Sequence, residues 1–274
     1  MRQARFVTWR RFALATATLG TAATVTAAWS QGDPAIMLGR RMLAEDNPGE
    51  LWVSRGKDLW HAARGPLQRS LEGCDLGRGA GVVDGAFAQL PRYFPDTGLV
   101  QDMESRLLTC MTVLHGLDRA QLIRAAFSTL ERASDLEALS AYVASRSNGL
   151  PMDPPLARPE ERAALAAGAA LFNRRSGPLD FSCATCHQQD DRRIRLQELT
   201  NLRDNKQARA VVASWPAYRG THGTLRTMQH RLYDCVWQMR LPELAYASEM
   251  SVALTSYLNH QGRGAVIQVP GVVR

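Results

Sequence analysis

Beyond its first thirty residues the chain has few alternating β-branched runs, the pattern a half-buried strand requires. Its apolar positions fall instead in Ala- and Leu-rich stretches interleaved with Arg and Glu, which predict helices. Clear examples are 134–146, 159–172 and 224–239. Within the last of these, 229–239 places residues 231 and 235 on one face. Pro and Gly punctuate the links, most densely over 148–155, where a domain boundary is expected. The fold class read from this pattern is all-α.

A different pattern opens the chain. Arg2, Arg5, Arg10 and Arg11 form a basic region without any acid, and residues 12–28 are small or apolar and uncharged. Ala27, Ala28 and Ser30 offer cleavage sites, so 1–30 reads as an export signal. Arg10-Arg11 hints at the twin-arginine route. A permanent membrane anchor is the alternative, but the run is too short and too weakly hydrophobic for one. No permanent anchor and a periplasmic location are therefore expected.

The signal also changes how charge is read. The formal net charge is +7. Four of those charges lie in the signal, leaving about +3. That excess is too small to argue for nucleic-acid binding, and it suits steering of anions or acidic partners.

Cys183-Ala184-Thr185-Cys186-His187 carries the clearest chemistry. Two thiols about one helical turn apart can form thioethers to both vinyl groups of one porphyrin, and the adjacent histidine then sits under the iron as proximal ligand. A zinc half-site would need a second close Cys/His pair, which the sequence lacks. A thioredoxin-like pair would not need His187 and usually sits in a βαβ setting.

The two halves of the chain resemble each other. Gly56-x-x-Leu59-Trp60-x4-Gly65-Pro66-Leu67 matches Gly168-x-x-Leu171-Phe172-x4-Gly177-Pro178-Leu179 at an offset of 112 residues. Carried forward, the offset sets Leu71 on Cys183, Cys74 on Cys186 and Asp75 on His187. Arg106-Leu107-x-x-Cys110 then matches Arg231-Leu232-x-x-Cys235, and Leu139-Ser140-x-Tyr142-Val143 matches Leu254-Thr255-x-Tyr257-Leu258. Three blocks in one order predict two copies of one helical unit. The expected organisation is two cytochrome c-like domains related by internal duplication, 40–150 without haem and 156–265 with one covalent haem c.

Of five cysteines, the haem motif uses two. Cys74 and Cys110 occupy places that face each other across a haem pocket in such a unit. With the haem lost they are expected either to form a disulfide, sensible in an oxidising compartment, or to remain as buried free thiols. Cys235 is left over. An inert core thiol is its bland reading. Its place after the haem motif, where a distal ligand is expected, and Arg231 four residues before it suggest a reactive thiol. Arg219 and Arg240 are weaker candidates of the Arg231 kind. Met228, Met239 and Met250 are rival distal ligands. His61, His115, His222, His230 and His260 have no paired spacing and read as surface or packing residues, with His230 adjacent to Arg231.

At these residues the chain resembles the SoxA family, the L-cysteine S-thiosulfotransferase subunit of a sulfur-oxidising system. The resemblance rests on Arg92-Tyr93-Phe94-Pro95, Glu104-Ser105-Arg106 and Cys110 in the first half. In the second it rests on the haem motif, Trp215-Pro216-Ala217-Tyr218-Arg219, and Arg231-x3-Cys235-x4-Arg240. Leu71 and Asp75 depart from the two-haem form, so the chain looks like the one-haem form, in which a disulfide replaces the missing haem. The resemblance implies His187 and Cys235 as axial iron ligands, Cys235 as the persulfide-modified active thiol, and Arg231 facing substrate. It further implies a heterodimer with a SoxX-type cytochrome subunit and thiosulfate as substrate. The acceptor would be a cysteine of a SoxYZ-type carrier, with electrons leaving to cytochrome c. The competing expectations are a plain electron carrier with His/Met ligation and a subunit that only docks a carrier.

Overall fold

Helices in this chain begin where a side chain is available to take their free amides. Ser134, Asp204, Thr227 and Ser248 each accept the amide three residues on. Asp102 and Ser105, and likewise Ser182 and Thr185, cap reciprocally. Each such cap contributes about 1 kcal/mol. The computed structural model describes residue 42 and residues 45–194 and 197–273. The export signal expected at 1–30 lies outside the described residues. Among them no helix is long and apolar enough to cross a membrane.

The first half runs α1 (Glu50–His61), β1 (Arg92–Phe94), β2 (Leu99–Gln101), α2 (Met103–His115), α3 (Arg119–Arg124) and α4 (Asp135–Ser145). The second begins with α5 (Pro159–Asn173) and α6 (Cys183–His187), then β3 (Arg193–Ile194), β4 (Gln197–Glu198) and α7 (Asn205–Val212). It ends with β5 (Ala217–Arg219), β6 (Thr224–Arg226), α8 (Met228–Gln238), α9 (Glu249–Gln261) and β7 (Gly271–Val273).

Two helix pairs organise the two halves, α1 with α4 and α5 with α9. Each crosses at a glycine. A Cβ on Gly56 would strike the Ala138 carbonyl and Tyr142, and one on Gly168 would strike the Ala253 carbonyl and Tyr257. An aromatic pair stands behind each crossing, Trp60 with Tyr142 at 6.3 Å and Phe172 with Tyr257 at 5.0 Å. A loop follows each first helix, closed by Arg64 opposite Arg69 in one and Ser176 opposite Phe181 in the other.

Helices dominate, yet the all-α expectation needs amending, because three short ladders stand beside them. β1 pairs antiparallel with β2, and β3 with β4. β5 pairs antiparallel with β6 and parallel with β7. The helix expected over 224–239 therefore starts only at Met228. Thr224–Arg226 is drawn into the ladder with Ala217–Arg219, and the Thr227 side chain caps the new helix start. Three-residue strands are too short to show alternation, which is why the sequence reads them as helix.

The larger core fills the first half, with Trp60, Leu71, Leu76, Phe94, Leu107 and Met111 at its centre. A disulfide joins Cys74 and Cys110 there, their Cα atoms 5.5 Å apart. The second core is smaller, built on Phe172, Ala184, Leu232, Leu254 and Tyr257. The C-terminal segment returns to the 148–155 link. Asn148 brackets Val269, donating to its carbonyl at 2.6 Å and accepting its amide at 2.8 Å.

Candidate functional site

The Cys183–His187 turn is set by Ser182, whose hydroxyl accepts the Thr185 amide at 3.2 Å while Thr185 Oγ1 accepts the Ser182 amide at 3.0 Å. This cap winds both cysteines and His187 onto one turn. His187 Nδ1–H donates to the Thr200 carbonyl at 2.9 Å, and the Leu202 amide bonds the His187 carbonyl. The ring is thus held in the tautomer that leaves Nε2 as a lone-pair donor. Burial, together with the Arg231 charge, holds the imidazole below its ordinary pKa and so keeps it neutral, while the Thr200 bond pulls the other way.

Opposite this turn lies α8, which carries Arg231 and Cys235. The Cys235 thiol is close enough that charge on it disfavours charge on Cys183, and charge on Cys186 disfavours charge on Cys235. Burial pushes the Cys183 thiol up to about 11. Burial also raises Cys235, opposed first by Arg231 and then by Arg219. Arg231 makes no side-chain hydrogen bond or ion pair among the described residues and is partly exposed. It is a cation available to an incoming anion.

A second layer comes from the β5–β6 hairpin. Arg219 and Arg226 are both about nine-tenths buried, and their Nε atoms have no partner. Asp234, the residue before Cys235, pairs closely with Arg226 and lies 3.8 Å from Arg219. Two guanidinium groups, Arg231 and Arg219, and the Asp234 carboxylate therefore act on the thiol, and Arg226 offsets the Asp234 charge, leaving a positive excess suited to a dianion.

The structure brings together Cys183, Cys186, His187, Arg231 and Cys235, and adds Arg219. Arg240 is exposed past the end of α8, with its carbonyl set against Gly177. Met228 packs into both cores and Met250 is half exposed. Thr200, Arg226 and Asp234 were not picked out by sequence. Asp234 had a signal in its adjacency to Cys235, whereas Thr200 acts through a main-chain carbonyl and had none. His230, of the two roles expected for it, takes the packing one: it is buried and hydrogen-bonded to Glu137.

The donor set fits a covalent c-type haem: two thiols on one turn, a neutral imidazole oriented by its second nitrogen, and a soft sulfur facing them. Among the described residues no other His, Cys, Asp or Glu cluster is arranged to hold a metal ion.

Comparison with known proteins bears on the family of the whole chain. A family model described as SoxA/TsdA, cytochrome c domain, matches residues 55–152 and 167–267. The L-cysteine S-thiosulfotransferase subunit SoxA of Hydrogenophilus thermoluteolus is 45% identical over 235 residues, 86% of each chain. The subunit of the same name from Hydrogenobacter thermophilus is 32% identical, over 83% of this chain and 82% of its own. Among solved structures, SoxXA from P. pantotrophus matches with a TM-score of 0.69 at 25% identity, covering 86% of this chain and 83% of that one.

Proposed function

The chain belongs to the SoxA/TsdA cytochrome c family, and from that premise we propose that it is the thiosulfate-conjugating subunit of a c-type cytochrome complex. It joins thiosulfate oxidatively to a cysteine on a SoxYZ-type carrier, paired with a SoxX-type cytochrome subunit in the periplasm. The observation that carries this reading is Cys235, set against the Cys183–His187 turn and flanked by Arg231 and Arg219.

Cys183 and Cys186 would hold one haem c by thioethers, and His187 and Cys235 would bind its iron. When bound, the haem supplies a one-electron sink beside the thiol. Arg231 and Arg219 bind the sulfonate oxygens of thiosulfate and aim its terminal sulfur at Cys235. A sulfur–sulfur bond forms there with loss of two electrons, which a cytochrome c acceptor takes up in two one-electron steps. A carrier thiolate then attacks that terminal sulfur and displaces the Cys235 thiolate, which returns to its starting state. The sum is thiosulfate plus a carrier thiol giving a carrier S-thiosulfonate, one proton and two electrons.

Residues 40–150 are the haem-free copy of the unit and 156–265 the haem-bearing copy. The glycine crossings at Gly56 and Gly168 support that reading, as do the burial of Leu71 in place of a thioether cysteine and the Cys74–Cys110 disulfide. The deciding experiment compares haem-loaded Cys235→Ala with the parent. The enzyme reading expects thiosulfate turnover to vanish and a thiolate-type low-spin resonance to disappear. Turnover and resonance that survive in Cys235→Ala would leave a plain electron carrier.

A further inference from the structure

α8 carries both reacting side chains, yet little of it is buried. Gln229, His230 and Leu232 are buried and Met228 and Val236 pack partly buried against the cores, while Tyr233 and Trp237 are exposed, Trp237 at 73%. Its counterpart α2 is buried along nearly its whole length. Apolar packing on α8 is thus confined to one row, Met228, Leu232 and Val236, and leaves the flanks of the helix to polar contacts.

Polar contacts from the haem-free half supply what is missing. The Gln229 amide donates to Glu104 Oε1 at 3.1 Å, and its side chain donates to Asp102 Oδ2 at 2.6 Å. One residue on, His230 Nδ1–H donates to Glu137 Oε1 at 2.6 Å. The other Glu137 oxygen accepts the Ser128 amide at 2.8 Å. The His230 ring also stacks on Phe127, centroids 4.1 Å apart. Glu137 is fully buried and His230 is 5% exposed.

Resting on the proposed thiosulfotransferase reading, we infer that the His230–Glu137 hydrogen bond is a positioning device. It sets the rotation of α8 and thereby the placement of Arg231 and Cys235. A helix is stiff, so holding one residue's direction fixes those of its neighbours. A turn of roughly 20° about the axis would swing a sulfur ~4 Å from that axis by more than about 1 Å. Displacements of that size cost on the order of a hundredfold in rate. A directional hydrogen bond fixes rotation where an apolar contact would tolerate sliding.

The test uses the haem-loaded full chain with its cytochrome partner and compares His230→Asn with His230→Gln. The Asn amide nitrogen is two bonds from Cβ, as Nδ1 is, and can reach Glu137. The Gln nitrogen is one bond further and cannot take the same place. Both variants lose the stacked ring, so both lower the melting midpoint by similar amounts. The expected result is that His230→Asn keeps the iron's low-spin resonance and most of kcat. His230→Gln should broaden that resonance and lower kcat roughly tenfold to a hundredfold, with KM little changed. If the two variants have the same resonance and kcat, His230 serves packing alone and the inference fails. Should His230→Gln not fold, Glu137→Asp, which withdraws the carboxylate by one methylene, poses the same question from the other side. A parent-like resonance and kcat there would also overturn it. The resonance is read without turnover, so these outcomes are separable from the Cys235→Ala comparison that decides the function itself.

Discussion

Arg106 and Arg231 hold matching places, each four residues before a cysteine on a corresponding helix, and their surroundings are opposite. Arg106 is buried. It pairs with both Asp96 oxygens at 3.0 and 2.8 Å, donates Nε to the Asp75 carbonyl at 2.6 Å, and covers the Phe94 ring at 4.0 Å. Arg231 has no side-chain partner among the described residues, and its charge is felt at His187, the residue matched to Asp75. The first arginine is part of the core, and the second is left without a side-chain partner among the described residues.

Substituting the two arginines should separate these roles. Arg231→Ala should lower kcat/KM for thiosulfate by roughly tenfold to a hundredfold, the equivalent of one or two charged hydrogen bonds. Its melting midpoint and visible spectrum should stay close to the parent's. Arg106→Ala should cost about 2–3 kcal/mol of stability and leave KM for thiosulfate near the parent value. Steady-state kinetics beside urea denaturation checks both. A common loss of haem in the two variants would show that Arg231, too, is structural.

The carboxylates under α8 give a pH dependence with a defined sign. Burial, with the Asp102 charge adding, raises the Glu104 carboxyl from its ordinary 4.5 to about 8. A folded pKa above the unfolded one gives stability that is fully present below about pH 4.5 and is lost as pH rises through 8. Gln has the shape of the protonated acid and still accepts the Gln229 amide. Glu104→Gln should therefore flatten the stability profile between pH 5 and 8 and exceed the parent's stability at pH 9 by at least about 1 kcal/mol. Denaturation at pH 5, 7 and 9 measures this. A profile parallel to the parent's would show that Glu104 is ionised in the fold.

How far the sequence reveals this arrangement depends on whether a feature is local. The haem-motif turn is legible because its chemistry is fixed by spacing within five residues, whereas the repeat marks Gly56 and Gly168 without showing that helices cross there. The short ladders are not legible, since three residues cannot display a period of two. Nor is the His230–Glu137 bond, whose partners lie 93 residues apart. Nothing near His230 announces a buried acid, so an isolated histidine reads as a surface or packing residue. Arg231 stands out for its spacing to Cys235, but its freedom becomes visible only against the fully paired Arg106.

Cysteine accounting follows from the same comparison. Leu71 is sealed in the core, and Asp75 accepts the amides of Gly77 and Gly79. Cys74 and Cys110 are joined across a separation of 36 residues. A link of that span stabilises by about 3–4 kcal/mol on the chain-entropy model. The pyridine haemochrome assay should give one haem per chain. Alkylation under denaturing conditions should label Cys74 and Cys110 only after reduction. A second haem, or labelling of either cysteine before reduction, would contradict the haem-free reading of the first half.

The helix crossings make the last prediction, one in which packing outweighs propensity. In an exposed helix, Gly→Ala would gain about 1 kcal/mol. At Gly168 the new methyl would meet the Ala253 carbonyl and Tyr257, and backbone atoms can yield only if α5 and α9 move apart. Overpacking of this kind costs typically about 1–3 kcal/mol. Gly168→Ala should therefore lower stability despite the better helix former. Because α5 packs directly on α6, it should also disturb the visible spectrum of the haem-loaded protein. Gly56→Ala should cost a similar amount while leaving that spectrum unchanged, since α1 and α4 belong to the other half. Thermal melts followed both by far-ultraviolet circular dichroism and by haem absorbance test the pair. A stabilised Gly168→Ala would mean that the two helices are not held at their crossing.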